Sequence, residues 1–269
     1  MVETKDFINL PHQMERFRDK LVPSLLKNTL ITPYRRITSP TESKFAGYPY
    51  LPKTHVHPKD LKGNYMHLLA QINFSDSIFL PPFPEKGILQ IFISKDLCFP
   101  EAQVKELYFQ QEFKIRYYPS ILPEGELVQD FSYLSNLGSD FPIQNEMGLI
   151  FSDHMEPVTA TDYRLKQYLG FPLSDYGHIS DDEQTLEDLY FETYLGAEHK
   201  IGGYPYFIEE DSRTNSEFLK RFDTLLLQIV TNDEQGIVYG DTGIIKVFIN
   251  REKLMKLDFT EVYFHAEQY

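Results

Sequence analysis

The sequence predicts a mainly β protein (a β-rich α+β chain) of two pseudo-symmetric β repeats sharing one core, with a few peripheral helices. Three observations predict it. The chain repeats itself: Lys44-Phe45-Ala46-Gly47-Tyr48-Pro49-Tyr50-Leu51 returns as Lys200-Ile201-Gly202-Gly203-Tyr204-Pro205-Tyr206-Phe207. Likewise Leu68-Leu69-Ala70-Gln71-Ile72 returns as Leu225-Leu226-Leu227-Gln228-Ile229, and Gly87-Ile88-Leu89-Gln90-Ile91-Phe92-Ile93 as Gly243-Ile244-Ile245-Lys246-Val247-Phe248-Ile249. These anchors are displaced by 156, 157 and 156 positions, a register that points to internal duplication. The apolar runs in each repeat are short and bounded by turn residues, as buried strands are. Finally, 21 Phe and 18 Tyr against no Trp favour strands.

Residues 1–40 read as a helical lead-in, with Met14, Phe17, Leu21, Leu25 and Leu26 at helical spacing and Pro23 as a kink. The first repeat, 41–119, opens on Lys44 and a Gly-Tyr-Pro turn in which Pro49 forces Tyr48 to be extended. Strands are expected at 66–74 and 87–94, and a third at 112–118, where Phe113, Ile115 and Tyr117 alternate with Lys114 and Arg116. A connecting segment, 120–196, has no internal echo and ends in a helix over 181–195. Ser180 and Glu183 are placed as its capping box and Gly196 as its stop. The second repeat, 197–269, closes the chain. Each unit has too few strands to cover its own core, so the whole is expected to be one compact domain.

Composition sets limits. The net charge is −14, from 40 acidic and 26 basic residues, which argues against nucleic acid and membrane surfaces as partners. The N-terminus has no signal-peptide profile, and no apolar run reaches the roughly 20 residues that span a bilayer. Cys98 is the single cysteine and reads as a small buried hydrophobe, so a reducing cytoplasm is expected.

At the repeated anchors the chain resembles the YwqG-like family, a mainly bacterial group classed as a domain of unknown function. The likeness covers most of 41–264. It rests on the Lys-x-Gly-Gly-x-Pro-like opening, the Leu-Leu-x-Gln-Ile strand and the Tyr239-Gly240-Asp241-Thr242-Gly243 turn. The first repeat departs from that pattern, with Ala46 where a glycine is usual. The resemblance implies a duplicated β-rich fold in a cytoplasmic bacterial protein, and it transfers no catalytic residue.

Several residues invite a chemical reading. Gln71 and Gln228 are amides inside apolar strands, where each either pins a neighbouring backbone turn or lines a cleft between the repeats. Lys44 and Lys200 stand at strand entrances, either solvated or holding an anion. Gly203, Tyr239 and Asp241 would make any ligand site lopsided towards the second repeat. Asp241 is a turn residue first, and a ligand contact or general base second. His55 and His57 would point the same way on a strand, but no cysteine completes a metal set, so no metal or cofactor is expected. Residues 232–236 read as a hairpin turn rather than a calcium loop. No phosphate-binding, nucleotide-binding, nucleophile-elbow or zincin motif occurs. The reading is therefore a non-catalytic binding module for a protein or small ligand, an immunity-type protein being one form. The rival is a small-molecule hydrolase using Asp241 with His199 or His265.

Overall fold

The protein's structure, a computed structural model, describes residues 8–77, 79–98, 104–176 and 184–269. Eleven strands are described: β1 Leu26–Arg35, β2 Lys44–Phe45, β3 His67–Asn73, β4 Ile88–Ile93, β5 Val104–Leu107, β6 Phe113–Tyr118, β7 Met147–Glu156, β8 Lys200–Gly202, β9 Thr224–Val230, β10 Gly243–Ile249 and β11 Val262–Gln268. They form one sheet in the order β5-β11-β10-β9-β8-β1-β7-β2-β3-β4-β6, antiparallel throughout. The two repeats occupy opposite wings. Outward from the centre, β2-β3-β4-β6 on one side matches β8-β9-β10-β11 on the other. Both wings carry a bulge at the same place, where Leu69 and Leu226 drop out of register with β4 and β10. The sheet curls until its ends approach, and Phe113 of β6 packs on Phe264 of β11 at 5.2 Å between ring centroids.

Strands β3, β4, β10 and β11 are buried along their whole length. That is why β3, β4 and β10 read as apolar runs rather than as alternation, while β11 does not, since His265, Glu267 and Gln268 are buried within it. The main core draws on both wings, from Phe45, Leu69 and Ile91 to Leu226, Val247 and Phe264.

The centre of the sheet departs from expectation. Leu26, placed on the helical stripe, begins a ten-residue strand; the helical lead-in stops at the turn that contains Pro23, which supplies no N–H for a longer helix. The connecting segment likewise holds a ten-residue strand, β7, which pairs with β1 from Leu26↔Glu156 to Arg35↔Met147. Here β1 also pairs with β8, and β7 with β2. The N-terminal strand therefore belongs to the second wing and the connector's strand to the first. Gly148 stands opposite Lys44 just as Leu30 stands opposite Lys200.

Helical pieces cover one side. A 3-10 turn His12–Phe17 leads into α1 (Arg18–Leu21), and α2 (Arg164–Leu169) and α3 (Leu186–Thr193) follow in the connector. With Met14, Leu21, Leu169, Leu186 and Tyr190 they form a second core of their own. The helix expected over 181–195 is thus shorter, and its capping box is Thr185 with Asp188. The expected box at Ser180 and Glu183 lies outside the described residues, as does the side-chain setting of Cys98. Two short helices, α4 (Glu217–Lys220) and α5 (Arg251–Met255), complete the second wing. No helix among the described residues is long and apolar enough to cross a membrane.

Candidate functional site

The site residues named from sequence fall mostly on one construction, built twice. Lys44, Gln71, Gln90 and Arg116 face one another across β2, β3, β4 and β6. Lys200, Gln228, Lys246 and His265 do the same in the second wing. Each polar row runs under the Tyr-Pro-Tyr segment of its own repeat. That segment is not a strand, so its backbone groups need other partners. Tyr50 N–H donates to Gln71 Oε1 at 2.8 Å and Gln90 Nε2 donates to Tyr50 O at 2.7 Å. Correspondingly, Tyr206 N–H donates to Gln228 Oε1 and Lys246 Nζ to Tyr206 O, both at 2.8 Å. The amide nitrogens are engaged too: Gln71 Nε2 donates to Pro40 and Glu42 carbonyls, Gln228 Nε2 to those of Gly196 and Glu198. Both glutamines are fully buried, and their bonds go to backbone except that Gln71 Oε1 also accepts from Gln90 Nε2 at 2.8 Å.

The lysines are buried as well, and β7 serves both through carboxylates at or beside its ends. Glu156, its last residue, accepts from Lys200 Nζ at 3.0 and 2.9 Å and from Tyr204 N–H at 2.8 Å. Glu146, just before its start, pairs with Lys44 at 3.4 Å and accepts from Thr38 N–H. Burial pulls the Lys44 ammonium below its usual range, with Glu146 working against it. The two Gly-Tyr-Pro turns need left-handed backbone: Ala46 and Gly47 have φ of 53° and 76°, Gly202 and Gly203 of 72° and 70°. A Cβ on Gly203 would come within 2.2 Å of Glu156 Oε1, so the glycine is what lets that carboxylate reach the turn.

The second wing adds charges the first lacks. Arg213, fully buried, bridges Asp211 at 2.7 Å and Asp162 at 2.9 Å, and Asp162 also takes Arg164 at 2.6 Å. Burial alone would raise Asp162, but Arg164 and Arg213 hold it below the carboxylate range. Lys246 pairs with Glu267, and its ammonium lies 3.7 Å from the Phe207 ring centroid. Burial lowers it to about 8 despite that partner. Sequence reading did not single out Gln90, Lys246, Glu146, Glu156 or Arg213. For Gln90 and Lys246 the signal was present, since both interrupt apolar strands at matching positions.

Tyr239 and Asp241 stand apart from these rows. Tyr239 packs into the main core, while Asp241 is exposed and its N–H donates to Tyr269 O. His199 is buried, with one ring nitrogen against Val230 N–H at 3.2 Å and the other against Gln235 at 3.0 Å. Burial drives it to about 4. His265 is buried against Phe207 and Tyr263. With the His199 ring committed and His265 sealed in, the Asp241–histidine pair has no open acid–base geometry. His57 is buried between Met66 O and Tyr133 while His55 is exposed, so the two rings do not converge on one ligand. Asp60, Asp96 and Glu112 do come within 4.8 Å of one another, with Lys62 on Asp96 at 2.5 Å.

Above the Lys200–Glu156 pair lies an open cleft of about 460 Å³. Its walls are the end of β7, the C-terminal turn of α3 and the chain from Gly196 to Glu198. Glu156, Glu192 and Glu198 line it, with His154 and Thr159, and no lysine or arginine lines it among the described residues. The helix C-terminus adds the negative end of its dipole. Chemically, the arrangement favours a cation.

No curated protein matches the chain. A family described as a domain of unknown function (DUF1963) matches residues 43–267, which takes in both wings of the sheet apart from β1 and the last residue of β11. The chain therefore belongs to the DUF1963 family.

Proposed function

We propose that this protein is a non-catalytic binding module that receives a basic segment of a protein partner in the Glu156–Glu192–Glu198 cleft. The observation that carries the reading is the composition of that cleft: the exposed carboxylates Glu192 and Glu198 and a helix C-terminus, with Glu156 at its base bound to the buried Lys200, which lies 3.9 Å from Glu198. An overall charge of −14 would speed encounter with such a partner. An immunity-type protein neutralising a basic toxin is one concrete form. The same reading takes the chain as a cytoplasmic, bacterial, YwqG-like member of its family that arose by internal duplication. The single cysteine and the matched polar rows support it.

Isothermal titration with an oligolysine peptide tests the cleft. Glu192→Lys with Glu198→Lys should weaken binding at least about tenfold, roughly 1.4 kcal/mol. A control pair of equal charge change, Glu217→Lys with Glu261→Lys, should cost much less. Equal losses in both pairs would reduce the effect to net charge and remove the cleft from the reading.

A further inference from the structure

On the opposite flank of the Gly202–Gly203 turn lies a second pocket whose electrostatics run against the rest of the chain. It is small, about 260 Å³, and three cations surround it: Lys27, Arg164 and Arg251. In a protein of charge −14 that convergence is unexpected. Asp223 is the one acid that lines it among the described residues, and its Oδ1 already accepts from Arg251 N–H at 2.8 Å and from Thr224 Oγ1 at 3.0 Å. Arg164 is fixed by Asp162, which leaves its Nη1 towards Asp223 O at a long 3.5 Å. Lys27 reaches Asp153 at 3.2 Å on the exposed rim. The Arg251 guanidinium makes no hydrogen bond or ion pair among the described residues. The floor is Gly202 and Gly203, which bring backbone close without side chains, and Tyr168 and Phe83 supply an apolar wall.

We infer that this pocket binds a phosphoryl group. A carboxylate is matched by one arginine fork, whereas three cations around a bare glycine floor match a dianion with three peripheral oxygens. The equivalent turn in the first wing, at Ala46 and Gly47, opens on a cleft lined by Glu146, Gln144 and His67, with no lysine or arginine lining it among the described residues. The site is thus built in one wing and absent from its counterpart. The group's source is free phosphate or a small phosphomonoester, and the apolar wall favours the ester.

The test is titration of the full chain with inorganic phosphate and with phenyl phosphate, followed by ³¹P NMR and calorimetry. Both should bind, phenyl phosphate more tightly, and Arg251→Gln should weaken each by about tenfold, equivalent to about 1.4 kcal/mol. Lys27→Gln should act in the same direction. Both side chains are exposed, so the variants should melt as the parent does. Tighter binding of inorganic phosphate than of the ester would identify free phosphate as the source. The Glu192→Lys, Glu198→Lys pair should leave phosphate binding in place, which separates this site from the acidic cleft. No binding at millimolar phosphate, or affinities unmoved by Arg251→Gln and Lys27→Gln, would overturn the inference.

Discussion

At the scale of single residues, the glutamines decide how the turns are held. Each satisfies one N–H and two carbonyls of otherwise unpaired backbone, in a place water does not reach. Gln71→Ala and Gln228→Ala should therefore lose similar stability, about 3 kcal/mol each, since buried polar groups are orphaned and a void remains. Urea denaturation of both variants checks this; loss confined to one would break the equivalence of the two rows. The amides were legible as anomalies because a polar residue in an apolar strand stands out. Their partners were not, because Pro40, Glu42, Gly196 and Glu198 act through backbone carbonyls and leave no trace in residue type. Lys246 offers a further test. Its ammonium is held at about 8, below the ordinary 10.5, by burial first and in spite of Glu267. Below pH 8 both states are protonated; above it the unfolded chain binds more protons, so stability rises with pH by at most about 1.4 kcal/mol per unit. Tyr194, held up at about 12 by burial, works in the opposite sense above pH 10, which confines the window to pH 8–10. Lys246→Gln, installing the amide that stands at Gln90, should flatten the slope in that window. An unchanged slope would assign it elsewhere.

At the scale of elements, β1 is the strand on which both wings meet. It contributes ten pairs to β7 and three to β8, yet lies before the family-matched region begins at residue 43. Deleting residues 1–35 should thus abolish cooperative unfolding, not merely shorten the chain, because the edges of β7 and β8 are left bare. Circular dichroism with thermal melting measures it; a cooperative transition in the truncated chain would show β1 to be dispensable. The sequence concealed β1 and β7 for a physical reason. Strands buried on both faces give continuous apolar runs, which is how β3, β4, β9 and β10 were found. The central pair is buried on one face only, and Thr32, Tyr34, Ile150 and Ser152 lie exposed. Leu25 and Leu26 also fell in phase with the helical stripe of Met14, Phe17 and Leu21. The same half-exposure kept β7 from being distinguished from loop.

At the scale of the whole molecule, the two wings differ in charge while agreeing in hydrogen-bond geometry. One carries tyrosines and a histidine around Tyr50, Tyr118 and His57, and the other a buried array of Arg164, Arg213, Asp162 and Asp211. The difference reaches into the sheet itself, where one polar row has Gln90 and Arg116 and the other Lys246 and His265. Both proposed sites are lined by the opening segment of the second wing, residues 196–204. The crossing of β1 and β7 carries a further meaning. Apart from β5, which crosses to pair with β11, the first wing is built from β2 to β7, whereas the second runs from β8 to β11 and then needs β1, the first strand described. Read as a circle cut between β1 and β2, the molecule is two five-strand modules in succession, with β5 added at the outer edge of the second. The present order is that succession started one strand early. The symmetric unit is therefore a property of the closed loop rather than of the linear chain, and any alignment of the first half with the second begins out of phase by one strand.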